Sequence, residues 1–380
     1  MLFPIFEQMS KPKIVIASLL KPVDDTRMFE KFACSLSKSS KYDIAIIGFY
    51  SKRINSITNI ICYPLFNFTR TSIQRLFAPL KYFKLLLKVK PQLIIVNSID
   101  LQLVTYLYRI LFGAKIIYDV RENYYRNIRY TDTYPQLLRL PLATSIRTLE
   151  WLSRLFVAHY FLAEKNYEKE FSFTKGKSTV IENKYKSTGT KVVKKTNSKN
   201  TTALLYSGTI AENYGIFEAI NLLEKLNKIE EKFKLTIIGY CAIAPTLNKI
   251  KNKIASNKDI TLIGGNQLVP HSEIIDAIET ADFGLITYRK NKSTENCFPT
   301  KIYEYMAHQL PMIVTENTYW VQFCTKYNAC ISIDYKNIQP EVLFDKLKNT
   351  SFYANTTDMD IYWESEEKKL LQIVKNILKA

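Results

Sequence analysis

Glycine is scarce in this chain: ten residues in 380, against about 7% in ordinary proteins. A phosphate-cradling loop built from successive glycines is therefore absent, and an anion site would need other donors. Six cysteines, at 34, 62, 241, 297, 324 and 330, form no Cys-x-x-Cys pair, which fits free thiols in a reducing compartment. The three histidines, His159, His271 and His308, lie far apart at no metal-ligand spacing, so a structural zinc site is not expected. No apolar run approaches the roughly 18 to 20 residues that span a bilayer. The opening "MLFPIFEQMSKPK" lacks a basic region followed by a long apolar one, so no secretory signal is expected and the location reads as cytoplasmic. A hydrophobic content of 47% excludes global disorder.

What is present is unevenly charged. Residues 1–200 hold 33 basic and 14 acidic side chains, residues 201–380 hold 20 and 21. Basicity confined to one half points to an anionic partner for that half, a nucleic acid or a membrane surface. No zinc finger or RNP-like motif accompanies the charge, so a nucleic-acid-binding protein is the less favoured class. The segment "RTSIQRLFAPLKYFKLLLKVK" (70–90) carries six basic residues and no acidic one. Ile73, Leu76, Phe77, Leu80, Phe83, Leu86 and Leu87 recur in it at three and four, an amphipathic pattern that suits an anionic leaflet or, alternatively, the domain's own sheet.

Both halves alternate short apolar strands with helical patterns, the signature of parallel βαβ units. Strands are predicted at 13–19, 43–49, 59–65, 92–97, 115–120, 160–163 and 178–183, then at 202–208, 234–240, 259–265, 282–288, 311–315 and 329–333. Helical patterns cover 27–38, 71–89, 99–112, 140–156 and 364–379. The polar stretch between 186 and 200 reads as a linker. The expected division is therefore 1–185, a linker 186–200, 201–355, and a C-terminal helical segment 356–380 that can pack back on the first domain. The fold class is α/β, two doubly wound Rossmann-like domains facing across a cleft lined by the carboxyl ends of their strands.

The most informative stretch is "ENCFPTKIYEYMAHQLPMIVTEN" (295–317). Thr300 reads as a helix N-cap after Pro299, and Pro311 as the helix end before a buried strand. Thr300, Glu304 and His308 share a face at i, i+4 spacing. Lys301 and Glu304 alone would pass for a surface ion pair worth a few tenths of a kcal/mol.

The order of "YSGTIAENYGIFEAINLLEKL", "LTIIGY", "ITLIGG", "HSEIIDAIETADFGLITY" and "PTKIYEYMAHQLPMIVTEN" resembles glycosyltransferase family 4, over nearly all of 201–335. The first half is similar more weakly, through "KPVDDTRMFEKFACSL" and "KIIYDVRENYY". The resemblance implies a GT-B architecture and a retaining transferase of the bacterial surface-polysaccharide type. It would use a nucleotide-sugar donor, a glycan or lipid-linked glycan acceptor, and no cofactor or metal. Glu304 falls at the second glutamate of the family's E-x7-E motif, which holds the donor ribose. The first glutamate is replaced by Asn296. The family's loop arginine and lysine are replaced by Thr209 and Tyr214, so Lys301 and Arg289 become the candidate cations for the diphosphate. Gly208, Thr209, Gly239 and Thr300 complete the expected donor site. Arg121, Glu122 and Asn296 are the candidate catalytic residues, with Arg121 where many members have histidine. Asp25, Thr26, Arg27, Asn123 and Tyr124 are expected on the acceptor side, although Asp25 also reads as a plain helix cap. Alternatives of the same fold are a sugar-nucleotide epimerase and a catalytically weak sugar-nucleotide binder. The Asp-x-Asp at 358–360 resembles a metal motif of another transferase fold but reads as acidic capping. The expected location is peripheral, on the inner face of the cell membrane.

Overall fold

The computed structural model describes residues 11–51, 57–68, 72–131, 133–187, 201–230, 232–354 and 359–379. Most of the expected linker, Lys52, Arg53, Arg70 and Asp358 lie outside the described residues. The chain divides into two compact units, Met1–Lys186 with Trp363–Ala380, and Ser187–Tyr362.

The first unit holds seven parallel strands: β1 (Lys13–Pro22), β2 (Asp43–Phe49), β3 (Ile60–Phe66), β4 (Leu93–Val96), β5 (Lys115–Val120), β6 (His159–Leu162) and β7 (Ser178–Val180), in the order β3-β2-β1-β4-β5-β6-β7. Alternate residues of one strand face opposite layers. Val15 and Ala17 join one core with Ile94, Val96, Tyr118 and Tyr160. Ile14 and Ile16 join another with Ile44, Ile95, Phe32 and Trp363. Because both faces are covered, the strands read as continuous apolar runs.

The helix Trp363–Lys379 covers the second of these faces, although it is last in sequence. The Trp363 indole donates to Ser35 Oγ at 3.0 Å and its backbone N–H to the Tyr185 carbonyl at 2.7 Å. Below it Lys184 and Glu366, both buried, pair at 2.7 Å.

Helix Gln74–Val89 covers the opposite face with Ala78, Tyr82, Leu86 and Val89. The expected apolar stripe is therefore divided: Leu86 packs inward, whereas Ile73, Leu76, Phe77 and Leu80 face outward. A second correction concerns residues 124–156. They form two helices, Tyr124–Tyr130 and Gln136–Leu152. The Asn123 side chain caps the first by accepting from the Arg126 N–H at 3.1 Å, which starts a helix where a loop was expected.

The second unit holds β8 (Thr202–Thr209), β9 (Phe233–Tyr240), β10 (Ile260–Gly265), β11 (Phe283–Ile286), β12 (Met312–Thr315) and β13 (Cys330–Ile333), all parallel in the order β10-β9-β8-β11-β12-β13. In each unit the strand order reverses once, at β1/β4 and at β8/β11. Such a reversal opens a crevice at the carboxyl ends of the two strands, because their outgoing connections leave to opposite faces.

Helix Thr300–Ala307 follows β11. Thr300 is its exposed first residue rather than its cap, since Pro299 occupies the cap position and no side chain bonds there. The helix also ends before Pro311. Gln309 turns left-handed at φ 51°, and the Leu310 N–H returns to the Tyr305 carbonyl at 2.8 Å, so the last carbonyls are satisfied without proline.

Arg27 is buried at 1% exposure within the first unit. It grips Asp119 with Nε at 3.0 and 3.1 Å and Nη2 at 2.7 Å, gives Nη1 to the Ile181 carbonyl at 2.9 Å, and lies over the Phe32 ring. Its expected acceptor role is therefore corrected to a structural one. Arg27→Ala is expected to cost about 3–5 kcal/mol, because it strands the buried Asp119 carboxylate; urea unfolding of the variant against wild type measures this.

Candidate functional site

The crevice at β8/β11 is built from the ends of β8 and β9, the loop after β11 and the first turn of helix Thr300–Ala307. Gly239, at φ 153°, passes so close to β8 that a Cβ on it would sit 1.7 Å from the Gly208 carbonyl oxygen. Gly215 at φ 76° opens helix Ile216–Leu226, and a Cβ there would sit 1.8 Å from the Thr287 carbonyl oxygen. These glycines allow backbone to meet backbone at the crevice.

Lys301 points into this closely packed place. Its side chain is buried, and Nζ donates to the Ser207 carbonyl at 2.5 Å. The ammonium lies 4.8 Å from the Tyr206 ring centroid, 5.4 Å from that of Tyr288, and 3.9 Å from where a side chain on Gly208 would begin. Burial pulls its pKa from the usual 10.5 down to about 8, with Glu304 pulling the other way. The aromatic faces supply part of what water would have given the cation.

Tyrosines frame the lysine. Tyr206 Oη donates to the Thr209 carbonyl at 3.1 Å and lies within 3.3 Å of the Tyr214 carbonyl. Tyr305 Oη and Ser207 Oγ are 2.8 Å apart. Tyr214, at the position where the resemblance expects a lysine, stacks on Tyr288 at 4.7 Å. Tyr288 in turn meets Trp320 edge-on at 5.5 Å. The position thus supplies a wall to the Lys301 pocket rather than a cation. Thr209 is exposed at the end of β8.

One turn along, Glu304 Oε1 lies 3.1 Å from His271 Nε2, at the start of helix His271–Thr280. His271 and Glu304 are 33 residues apart and no spacing rule links them, so only the fold brings the pair together. His308, expected on one face with Thr300 and Glu304, lies close enough to Glu304 and His271 to feel their charges. It is buried beside Glu279, 3.5 Å from Nδ1, and burial lowers its pKa. Arg289 is held by Glu218, Nε to Oε1 at 2.6 Å, on the first turn of helix Ile216–Leu226. Asn296 is half-buried on the loop before Thr300. That loop is pinned by the Asn291 side-chain Oδ1, which accepts from the Ser293 and Thr294 N–H groups at 2.8 and 3.0 Å.

The first unit has its own cluster at the carboxyl ends of its strands. Asp25 caps the helix beginning at Thr26, accepting from the Arg27 and Met28 N–H groups. It also takes both arms of Arg121, at 2.9 and 3.1 Å. Burial alone would raise the Asp25 pKa, but Arg121, Lys21 and the Met28 N–H outweigh it and bring it down to about 2. Thr26 is half-buried beside it. Glu122 is open to solvent and meets Lys21 at 3.5 Å. Tyr124 Oη reaches the Asn97 carbonyl at 3.4 Å. Asn123 is buried, donates to Glu170 and accepts from Arg147 at 2.8 Å. It borders a groove of about 720 Å³ with Tyr125, Tyr130, Trp151 and Phe173 on its walls. Arg121 and Asn123, read as contacts for a ligand, are therefore held by protein partners in this structure.

Lys301 gives a titration test. Between pH 8 and its usual 10.5 the unfolded chain binds more protons at this group than the folded chain, so its contribution makes stability rise with pH there. Lys301→Met should therefore exceed wild type in stability near pH 7, with a narrower gap at about pH 9 that closes only as the pH passes about 10.5. Urea unfolding of both proteins at the two pH values checks the sign.

Residues 201–337 match the sequence model of the family described as Glycosyl transferases group 1. A search of curated proteins gives no match. Among solved structures, sucrose-phosphate synthase from Thermosynechococcus elongatus is similar with a TM-score of 0.72 at 12% identity, over 97% of this chain and 100% of that one. The catalytic domain of starch synthase IV from Arabidopsis thaliana, bound to ADP and acarbose, is similar at 0.65 and 9% identity, over 97% and 100%. Anabaena HepE in complex with UDP and glucose is similar at 0.63 and 10% identity, over 97% and 98%. The chain has the GT-B fold, and residues 201–337 of its second unit are similar to the group 1 glycosyltransferase domain.

Proposed function

We propose that this protein moves a sugar from a nucleotide-sugar donor to a lipid-linked or membrane-adjacent glycan, with retention of anomeric configuration. The observation that carries the reading is Lys301, a buried cation at the β8/β11 crevice of the group 1 domain, with Glu304 one turn along the same helix. The solved proteins of this fold that hold UDP or ADP support a nucleotide as the ligand.

The roles follow from the chemistry of the groups. A carboxylate accepts from two vicinal hydroxyls at once, so Glu304, with His271 beside it, receives the ribose. The diphosphate lies at the start of helix Thr300–Ala307, where N–H groups and the positive dipole end favour an anion. The Gly208 and Thr209 N–H groups and the Thr209 hydroxyl add donors. Lys301 supplies the full charge that stabilises the leaving group as the bond from the sugar's anomeric carbon to phosphate breaks. The acceptor oxygen bonds to that carbon on the same face, and its proton passes to the departing phosphate oxygen. Asn296 contacts the donor sugar. Arg289 contributes only by loosening its hold on Glu218. On the acceptor side, Asp25, Thr26 and Tyr124 remain assigned, with Arg121 and Glu122 as the candidate catalytic residues beside them, and the aromatic groove beside Asn123 suits a sugar ring. No metal is needed in this scheme. The basic first half supports a seat on the cytoplasmic face of an anionic membrane. Replacement of the family's loop cations by Thr209 and Tyr214 favours a second reading, a sugar-nucleotide binder with little turnover.

Product formation from a panel of nucleotide sugars separates the two readings, and under the first it survives EDTA. Glu304→Ala is expected to weaken donor nucleotide by about 2–3 kcal/mol, seen by calorimetry. Lys301→Met should lower kcat by roughly 10²–10³, and Arg289→Ala by less. Nucleotide affinity of wild type, but not of Lys301→Met, should fall as pH rises through about 8, where Lys301 loses its charge.

A further inference from the structure

Three helices of the first unit lie on one side of its sheet: Gln74–Val89, Ile99–Phe112 and Gln136–Leu152. Tyr82 and Leu101 from the first two enter the same core. Tyr82 Oη meets Thr105 Oγ1 at 3.2 Å, joining those helices. The third is anchored by Glu150, which accepts from Tyr118 of that core at 3.3 Å. Once these inward residues are subtracted, the outward surfaces remain strongly apolar. Leu76 is 74% exposed, Leu103 66% and Leu137 90%. Leu80, Leu107 and Ile110 extend the rows, all more than 45% exposed. Soluble monomers rarely leave a contiguous apolar surface beyond a few hundred Å² uncovered.

The charges beside these rows say what covers them. The three helices hold seven basic residues and two acidic ones, Asp100 and Glu150. Both acids already face arginine: Arg75 binds Asp100 at 2.9 Å, and Arg147 lies 3.4 Å from Glu150, whose side chain is fully buried. Lys81, Lys84 and Lys88 stand exposed beside the apolar rows. A second copy of this chain would set lysine against lysine in a two-fold interface, with no free acid on these helices to answer it. A bilayer with anionic headgroups meets both features, since the leucines enter the acyl boundary and the lysines stay among the headgroups. Trp151 and Tyr134, both about 40% exposed, are side chains of the kind that settles at that depth.

We propose that this three-helix face seats the first unit in an anionic bilayer by insertion of its leucine rows, with helix Ile99–Phe112 as a main contributor. The inference deepens the membrane-adjacent reading above and rests on it for the class of partner. It differs from a purely electrostatic docking through residues 70–90, because Leu103, Leu107 and Ile110 lie outside that segment.

The test is sedimentation of the full chain with vesicles of phosphatidylcholine containing about 30% phosphatidylglycerol, at low salt and at about 0.5 M NaCl, where screening lengths shrink to a few Å. Wild type should bind at low salt and keep most of its binding at high salt. The triple variant Leu103→Ser, Leu107→Ser, Ile110→Ser should lose at least about fivefold of the high-salt binding. Lys81→Gln, Lys84→Gln, Lys88→Gln should lose the preference for anionic lipid and keep the salt-resistant part. High-salt binding of the leucine variant equal to wild type overturns the proposal. So does a wild type that ignores vesicles and forms a dimer, or binds nucleic acid instead. Donor-nucleotide affinity, read in the second unit, and the melting temperature should be unchanged in the leucine variant. Because vesicle binding uses neither donor nor acceptor, a wild type that turns over a nucleotide sugar but does not dock on vesicles rejects this inference alone. Docking without turnover rejects the transferase reading alone.

Discussion

A parallel sheet has to be covered on both faces, and most of this structure follows from that requirement. Parallel strands cannot be joined by tight hairpins, so each connection crosses a face and carries a helix onto it. Where the connections change face, at β1/β4 and β8/β11, a crevice remains at the strand ends. In the first unit the coverage is completed by a helix from the far end of the chain, whose Trp363, Leu370 and Val374 join the core beside Phe32 and Leu36. Gly208, Lys301 and Glu304 stand where they do because the second sheet reverses its order between β8 and β11.

The crevice concentrates electrostatic cost as well as backbone. Burying an ammonium is unfavourable unless something replaces its water. For Lys301 the replacements are one carbonyl and two tyrosine faces, with Glu304 at longer range. The incomplete compensation appears as a lowered pKa. An arriving diphosphate would complete it, so the same desolvation that destabilises the empty site favours an anion there. Asp25 and Arg121 show the opposite arrangement. Their charges answer one another within the first unit, and the pair organises a helix start.

Coverage of the sheet also explains the outward leucines. A helix that packs on a sheet needs apolar residues on one stripe only. Helix Gln74–Val89 spends Ala78, Tyr82, Leu86 and Val89 inward and still carries a second set outward. Periodicity alone could not separate the sets, because a helix apolar on two adjoining faces repeats at three and four whichever stripe is counted. The tertiary contacts separate them.

The sequence by itself determined the α/β class and the strands, because buried parallel strands are short β-branched runs between helical patterns and require no knowledge of their neighbours. It also marked Lys301 and Glu304, through the resemblance carried by "PTKIYEYMAHQLPMIVTEN" rather than through their spacing, which alone suits a surface ion pair. Tertiary structure alone decided the rest. The pairing of Glu304 with His271, of Arg289 with Glu218 and of Arg27 with Asp119 joins residues 33, 71 and 92 positions apart. Arg27 reads as a cleft-loop cation until Asp119 and Ile181 are placed around it. Thr300 reads as a cap until Pro299 is found in the cap position and Thr300 inside the helix. Spacing along one element is local geometry that the chain carries with it, whereas a partner across the fold exists only after the sheet has set which strand ends are neighbours.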